Sequence, residues 1–433
     1  MADLELTELH GSLTDRALTS MNFLNEVSHH YPDAISLAAG RPTEEFFALE
    51  DLHRYLDLYA DHLRSEGYDE PAVRRAIFQY GRTKGIIHDL VARNLAVDED
   101  IHVDPEAIVV TVGCQEAMVL TLRALRATAD DVLLAISPSY VGITGAARLV
   151  ELPVLPVAGG AEGVDLDDLV AVVKAARADG MRPRACYLVP DFANPTGLSL
   201  DVDLRRRLLE TAAQQDLLLI EDNPYGLFPA EGVDRLPTLK ALDTDRRVVY
   251  LGSFAKTGLP GARVGYVVAD QTVAAPDGAT GLLADELSKL KSMLTVNTSP
   301  VAQAVVGGKL IAHDYSLVAA NRRERDVYAA NLKAITDGLA AHFPSGKHSP
   351  GGQITWTVPS GGFFVVVTVP FPVDDVLLEK SAQEYGVLWT PMSHFYEGDT
   401  PIHALRLSCS AVTPPQIDAA LNRLAALIAD QLP

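Results

Sequence analysis

The sequence predicts an α/β protein, with a mostly parallel sheet covered by helices in a large domain and a smaller α+β domain. Short apolar runs rich in β-branched residues alternate with longer segments of helical periodicity along most of the chain. A chain of 433 residues is long for a single hydrophobic core, which favours two domains. Beyond about residue 325 a long helical pattern is followed by strands, which is typical of a separate α+β lobe.

The large domain is predicted to span residues 56–325. Its candidate strands are short apolar runs at residues 107–113, 131–137, 185–190, 217–221, 248–253 and 264–269. Segments 115–127 and 204–215 show apolar residues near the helical period and are predicted helices. Loops are expected around residues 156–163, 275–281 and 343–352.

The small domain is predicted to comprise residues 326–433, joined by an N-terminal segment of residues 1–55. Residues 315–342 form a long helical pattern. Ile354, Trp356 and Val358 then alternate with polar residues, and an apolar run covers residues 363–369. Alternation of this kind indicates strands of a second sheet.

The composition excludes several classes of partner. The chain has 36 Lys and Arg against 57 Asp and Glu, a net charge of -21, which repels nucleic acid and anionic membranes. Three scattered cysteines, Cys114, Cys186 and Cys409, fit neither a disulfide framework nor a metal cluster, and no metal site is expected. The acidic start and the lack of a long apolar run predict a cytoplasmic protein.

Polar residues follow the predicted strands where ligands bind in open α/β sheets, beyond the carboxyl ends. Gly113, Cys114 and Gln115 lie at a strand-to-helix junction, where free N–H groups and the helix dipole favour an anion. Asn194 stands in an Asn-Pro-Thr-Gly turn after the strand at 185–190. Taken alone, each motif is also explained by an ordinary turn.

Two further strand ends carry ionisable groups. The run at 217–221 is followed by Asp222 and, three residues later, Tyr225. The run at 248–253 ends at Ser253, and Lys256 follows, with Arg263 seven residues beyond it. Lysine is a surface residue in most proteins, yet this one follows a buried strand. Together these strand ends offer an amide, a carboxylate, a phenol, an amine and a phosphate-binding helix start, the groups that a pyridine aldehyde phosphate requires.

The order of these motifs, from about Ser36 to Ser410, resembles the class I/II aminotransferases of fold type I, which use pyridoxal 5'-phosphate. The resemblance implies that Lys256 carries the cofactor as a Schiff base and that Asp222 pairs with the pyridinium nitrogen. It implies that Asn194 and Tyr225 bind the ring's phenolic oxygen and that Tyr140 stacks on the ring. Ser253, Arg263 and the backbone of residues 113–115 would bind the phosphate.

The resemblance also implies a homodimer with shared active sites, because Tyr80 matches the tyrosine that reaches the phosphate of the neighbouring subunit. Arg406 matches the arginine that binds the substrate α-carboxylate with a bidentate fork. Gly40 matches the glycine that passes close to the substrate. The implied reaction moves an amino group between an amino acid and a 2-oxo acid by a ping-pong mechanism.

Within that family the segments 9–27, 40–42 and 112–117 resemble a branch that makes non-proteinogenic amino acids for peptide antibiotics. The branch contains hydroxyphenylglycine and dihydroxyphenylglycine transaminases, so an aryl glycine is the expected product. One departure is the stretch 391–396, where Met392 replaces the glycine that many members have, beside the substrate side chain. His394 in that stretch is either a substrate contact or structural, and Arg41 either meets a distal acid or pairs with a surface carboxylate.

Three alternatives stay open at the level of sequence. The 2-oxo acid could carry a guanidine-bearing or cyclic side chain instead of an aryl group. The same cofactor also supports lyase and oxidase reactions, which begin from the same proton removal. A non-enzymatic ligand-sensing domain is the third alternative, although such proteins carry a basic DNA-binding segment before the aminotransferase-like part.

Overall fold

A computed structural model describes residues 4–257, 259–344, 353–398 and 400–432 of the chain. The predicted loop at 343–352 lies outside these residues from position 345 onward. Among the described residues, no helix combines the length and the apolar character needed to cross a membrane. No group of His, Cys, Asp or Glu in the described part of the chain is arranged to hold a metal ion.

The larger sheet has seven strands in the order β2-β8-β7-β6-β5-β3-β4. Their bounds are β2 Ile108–Thr111, β3 Asp131–Ser137, β4 Val154–Ala158, β5 Arg182–Leu188, β6 Leu218–Asp222, β7 Val248–Ser253 and β8 Gly265–Val268. Strands β3 to β7 pair in parallel, whereas β8 runs antiparallel to β2 and β7. Every residue of β2 and β8 is buried, as expected for strands covered on both faces.

The α/β fold class is confirmed, and the six strands expected in this sheet are present, β3 and β7 with the predicted bounds and the other four with shifted ends. Strand β4 was not predicted, because Pro156 and the two glycines after it favour a loop. The structure puts β4 at the edge of the sheet, where a missing backbone N–H costs no ladder hydrogen bond. The predicted loop at 275–281 is largely the turn of a hairpin between β9 Thr272–Ala274 and β10 Thr280–Leu282.

Helices cover both faces of the large sheet. They are α2 Leu49–Ser65, α3 Glu70–Phe78, α4 His88–Glu99, α5 Gly113–Leu125, α6 Val141–Leu149, α7 Leu166–Ala178, α8 Val202–Gln214, α9 Leu239–Leu242, α10 Leu283–Leu294, α11 Pro300–Ala312 and α12 Leu317–Ala320. Aspartates begin several of them: Asp165 accepts hydrogen bonds from Asp167 and Asp168, and Asp201 accepts one from Leu204. Helix α5 begins at Gly113, two residues before the predicted start.

A second layer forms around a four-stranded antiparallel sheet in the order β11-β12-β15-β14. Its strands are β11 Thr355–Trp356, β12 Phe364–Thr368, β14 Thr390–Pro391 and β15 Ala404–Ser408, and β1 Ile35–Ser36 pairs separately with β13 Val387–Leu388. Helices α1 Arg16–His30, α13 Arg322–His342, α14 Asp375–Lys380 and α15 Pro414–Gln431 accompany these strands. Val27 of α1 and Leu37 share one apolar core with α13, α15 and this sheet.

The predicted helix at 315–342 is interrupted at Asn321, whose side-chain amide donates to the carbonyl of Leu317 and so closes α12. The predicted domain boundaries near residues 55 and 325 fall inside α2 and α13, respectively. The division of the chain into domains stays a prediction.

Candidate active site

A cavity of about 500 Å³ opens beyond the carboxyl ends of β6 and β7, beside the start of α5. The structure brings nearly all of the predicted site residues to its walls, although they lie far apart in the sequence. They are Gly40, Cys114, Gln115, Tyr140, Asn194, Asp222, Tyr225, Ser253, Lys256, Arg263 and Arg406. Gly113 is not among the lining residues but directly precedes Cys114, and a Cβ added to it would meet the Arg263 guanidinium.

Tyr80 is the exception among the predicted site residues. It follows α3, is 80% exposed, and is not among the residues that line this cavity. A tyrosine that serves a neighbouring subunit would be exposed in a single chain, so its position is compatible with the predicted role without testing it.

One end of the cavity is suited to a phosphate group. Helix α5 begins at Gly113, so the N–H groups of its first turn have no acceptor within the helix. Gly113 has a φ of 69°, and a Cβ added there would lie 2.4 Å from Nη2 of Arg263. Only glycine therefore lets the guanidinium approach the helix start this closely. Ser253, whose Oγ accepts from the backbone of Ala255, adds a hydroxyl to the same wall.

Asp222 ends β6 at the floor of the cavity and is almost fully buried. Its carboxylate accepts hydrogen bonds from the Tyr187 hydroxyl at 2.7 Å and from the Cys114 thiol at 3.4 Å. Burial raises the pKa of Asp222 to about 6, against the opposing effect of these two bonds. Among the described residues, no cationic side chain donates a hydrogen bond to this carboxylate. A buried carboxylate in that situation is suited to a protonated ring nitrogen, so Asp222 fits pyridoxal phosphate.

Lys256 follows β7 by three residues and extends its side chain into the cavity. Its Nζ donates to the carbonyl oxygen of Gly40 at 2.5 Å. Burial, and then the nearby charges of Arg263 and Arg406, lower the pKa of Lys256 to about 8. An amine with this pKa is partly neutral near physiological pH, as covalent attachment to an aldehyde requires.

Two tyrosines occupy the centre of the cavity wall. Tyr225 packs edge-on against Phe363 and Phe364, with ring centroids 5.2 and 5.5 Å away. Burial raises the pKa of Tyr225 and of Tyr140, so both phenols stay protonated and can donate hydrogen bonds. Tyr140 immediately precedes α6 and presents its ring to the cavity.

Arg406 on β15 is a buried cation in the cavity wall. Its Nη2 donates to the carbonyl of Ala38 at 2.8 Å and to Thr390 Oγ1 at 3.1 Å, and Nη1 donates to Asn194 Oδ1. Its Nε is buried and has no hydrogen-bond partner within the described residues. Burial lowers the pKa of Arg406 to about 10, so it remains a cation at neutral pH with donor capacity left for an anion.

The sequence interpretation missed several residues of this site. Tyr187 is the donor to Asp222, and its signal was a lone phenol in the apolar run at residues 185–190, part of which forms β5. Met21 of α1 and Phe395 also line the cavity. No local signal distinguishes these two from core residues, because their role depends on contacts between distant segments.

Arg41 and His394, whose roles the sequence left open, lie in different places. Arg41 lines the cavity and is close enough to Lys256 to lower its pKa. His394 is not among the lining residues and instead hydrogen-bonds Ser20 and Asp375. All three cysteines are free thiols, and Cys114 lies in the cavity wall, whereas Cys186 and Cys409 are buried elsewhere.

Comparison with known proteins matches residues 73–424 to the family "Aminotransferase class I and II". The chain is 57% identical over 432 residues to an (S)-3,5-dihydroxyphenylglycine transaminase from Amycolatopsis orientalis, covering 99% of this chain and 95% of the relative. It is 30% identical to aromatic-amino-acid aminotransferase 1 from Thermococcus litoralis, covering 92% and 89% of the two chains.

Solved structures of related enzymes share the whole architecture. A kynurenine aminotransferase from Pyrococcus horikoshii, in complex with PMP, has a TM-score of 0.81 at 27% identity, with 99% of this chain and 98% of that chain covered. The α-aminoadipate aminotransferase of Thermus thermophilus, complexed with N-(5'-phosphopyridoxyl)-L-leucine, has a TM-score of 0.77 at 28% identity, with 99% of each chain covered.

These findings agree with the chemistry of the cavity, whose helix start, buried carboxylate and depressed lysine pKa suit a phosphorylated pyridine aldehyde. The resemblance derived from the sequence motifs is confirmed, and so is pyridoxal 5'-phosphate as the cofactor. The chain belongs to the class I and II aminotransferases, and it is a pyridoxal-phosphate-dependent aminotransferase of fold type I.

Proposed function

We propose that the enzyme transfers an amino group to an aryl glyoxylate, giving an aryl glycine such as dihydroxyphenylglycine or hydroxyphenylglycine for secondary metabolism. The observation that carries this proposal is the 57% identity to the (S)-3,5-dihydroxyphenylglycine transaminase over 99% of the chain. The other relatives named above are less similar in sequence, so this one is the best guide to the substrate.

The cavity walls support an aromatic substrate. Met21, Tyr140, Val141 and Phe395 present apolar or aromatic surface to the cavity. The ring of an aryl glycine is attached directly to Cα, so it must lie close to the groups that bind the carboxylate and the amine. Phe395 can contact a ring in that position, because its own ring centroid is 4.9 Å from the guanidinium carbon of Arg406.

Arg406 is proposed to bind the α-carboxylate. Its Nε has no partner in the described part of the structure, and three of its other four hydrogens are held by Asn194, Ala38 and Thr390. These bonds fix the plane of the guanidinium before the substrate arrives, so little conformational entropy is lost on binding. Stacking on Phe364, at 4.3 Å, holds the same plane from one face.

Lys256 and Asp222 are proposed to carry the proton chemistry. When bound, pyridoxal phosphate supplies a protonated ring that withdraws electrons from Cα of the amino acid. Asp222 keeps a negative charge at the ring nitrogen, since Tyr187 and Cys114 both donate to its carboxylate. The Lys256 amine, with a pKa near 8, then takes the proton from Cα.

The remaining site residues are proposed to hold the cofactor. Asn194 and Tyr225 would bind its phenolic oxygen, and Tyr140 would stack on its ring. The phosphate would be bound by Ser253, Arg263 and the backbone N–H groups of Gly113, Cys114 and Gln115. Gly40, whose carbonyl already accepts from Lys256, would pass beside the substrate.

We also propose a homodimer in the cytoplasm. Tyr80 is exposed in the single chain, close in sequence to the equally exposed Phe78 of α3, which supports burial of this surface by a second copy. In that dimer Tyr80 would reach the partner's phosphate. The three free thiols support a reducing compartment.

The proposed substrate is tested by converting the enzyme to its pyridoxamine phosphate form and adding single 2-oxo acids. Recovery of the pyridoxal phosphate absorbance band reports amino transfer. We expect rapid recovery with 3,5-dihydroxyphenylglyoxylate or 4-hydroxyphenylglyoxylate and slow recovery with pyruvate. Faster recovery with a guanidine-bearing or cyclic 2-oxo acid than with either aryl glyoxylate would contradict the proposal. The Lys256→Ala variant is the control for recovery that does not depend on this site.

A further inference from the structure

Two segments from opposite ends of the chain meet at the edge of the cavity. Met21, on α1, and Phe395, in the 3-10 turn Met392–Phe395, both line it. The Phe395 ring lies next to Arg406, which is proposed to bind the substrate carboxylate, and we take Met21 and Phe395 as the wall that faces the substrate side chain. The position of this wall therefore depends on how α1 is held against the turn.

His394 makes that connection. Its Nδ1 lies 2.7 Å from Ser20 Oγ, and its Nε2 lies 2.8 Å from Asp375 Oδ1 at the start of α14. The imidazole also stacks on Phe23 of α1, with ring centroids 5.2 Å apart. Its side chain is only 6% exposed. His394, the residue before Phe395, is thus hydrogen-bonded to Ser20, the residue before Met21.

A second contact joins the same two segments. Arg16 of α1 donates from Nη1 to the carbonyl of Gly398 at 2.7 Å and from Nη2 to the carbonyl of Ser393 at 3.3 Å. Helix α1 is therefore bonded to both ends of the segment 393–398. Such anchoring matters for Met21, because a methionine side chain has three rotatable bonds and forms a defined wall only when its backbone is held.

We propose that His394 is a positioning residue that sets the enzyme's preference for a large aromatic side chain over a small one. It holds Met21 and Phe395 at a fixed separation, so that a flat ring fits between the walls of the side-chain pocket. This inference rests on the proposed function, since it concerns the same cavity. A small 2-oxo acid has no side chain that fills the space between Met21 and Phe395, so its reaction should depend much less on His394.

The test compares two 2-oxo acids in the same variants of the holoenzyme. Ser20→Ala removes one hydroxyl, His394→Ala removes the whole link, and His394→Asn retains a donor or acceptor near the Nδ1 position. For each variant, kcat/KM is measured with 4-hydroxyphenylglyoxylate and with pyruvate. Matched controls are Ser65→Ala and His102→Ala, which change exposed residues, the histidine being 71% exposed and paired with Asp100.

We expect the ratio of kcat/KM for the aryl substrate over pyruvate to fall about tenfold in His394→Ala and about threefold in Ser20→Ala. Each expected loss lies mainly in KM for the aryl substrate. His394→Asn should restore part of the ratio, and the controls should leave it unchanged. Equal losses on both substrates, or an unchanged ratio in both Ser20→Ala and His394→Ala, would overturn the inference.

Failure of the proposed function gives a different result. If the unaltered enzyme does not accept any aryl glyoxylate, the proposed substrate is wrong, and the comparison is then made between phenylpyruvate and pyruvate. A fall of that ratio in His394→Ala and Ser20→Ala still supports the positioning role, and a constant ratio still overturns it. The absorbance of the bound cofactor should be the same in every variant, because these residues are not proposed to contact the cofactor.

Discussion

Replacing Arg406 with lysine is expected to weaken substrate binding much more than cofactor binding. Three hydrogens of the guanidinium are committed to Asn194, Ala38 and Thr390. A guanidinium has five hydrogens on nitrogen, so two remain for a carboxylate, including the one on Nε, which has no partner among the described residues. An ammonium has only three, and the same protein acceptors compete for all of them.

The magnitude follows from the two bonds lost to the substrate. A hydrogen bond to a charged group contributes about 1.5 kcal/mol or more, so the Arg406→Lys variant should bind the α-carboxylate about 3 kcal/mol more weakly. That loss corresponds to a rise of about 100-fold in the dissociation constant of the amino acid. The kcat at saturating substrate should change less, because Arg406 binds a group that does not react.

The assay is single-turnover loss of the pyridoxal phosphate band at a series of amino acid concentrations, which separates binding from chemistry. Pyridoxal phosphate affinity is measured in parallel. The control is Arg206→Lys, which changes an arginine that is 60% exposed and paired with Asp203. An amino acid dissociation constant within threefold of the unaltered enzyme would refute the role of Arg406. A large loss of cofactor affinity would assign it a structural role instead.

The other predictions concern groups around the cofactor site and one buried ion pair, between Lys291 and Glu116. Lys256→Ala should abolish transamination and the covalent cofactor's absorbance band, and retained activity would contradict the assignment. Because the pKa of Lys256 is lowered to about 8, the rate of cofactor uptake by the apoenzyme should rise from pH 6 to 8, as the amine loses its proton, and level off above pH 8. A stopped-flow rate that does not change with pH would refute this. Tyr187→Phe removes a donor that lowers the pKa of Asp222, so that pKa should rise further and the acidic limb of the kcat/KM profile should move upward by about one pH unit. Lys291→Met leaves the buried Glu116 without its cation and should lower the free energy of unfolding by about 3 kcal/mol in urea titrations, with most of it regained on adding Glu116→Gln.

Much of the site could be predicted because its residues follow the strands within a few positions. Asp222 ends β6, Ser253 ends β7, and Gly113 begins α5, so locating each apolar run also located a site residue. Parallel strands place their carboxyl ends at one edge of a sheet, which brings these residues together whatever the detailed packing. The family resemblance then added Gly40, Tyr140 and Arg406, which no local rule links to the others.

Other features could not be read from local patterns. Strand β4 has a proline in its middle, a position that suits a sheet edge, and the edge is defined by the order of all seven strands. Tyr187 is one more buried residue of β5 until the fold places its hydroxyl 2.7 Å from Asp222. His394 was ambiguous in sequence because its partners, Ser20 and Asp375, belong to segments 374 and 19 residues away.

Local sequence patterns were enough to predict the fold class and the strand ends that carry the chemistry, because periodicity and turn residues act over a few positions. The order of the motifs along the chain was enough to identify the aminotransferase family. Tertiary structure alone decided which donors hold Asp222, how Arg406 retains capacity for a carboxylate, and which residues form the side-chain wall. These properties depend on burial and on distances between segments as far apart as Asn194 and Arg406, which the fold brings into contact.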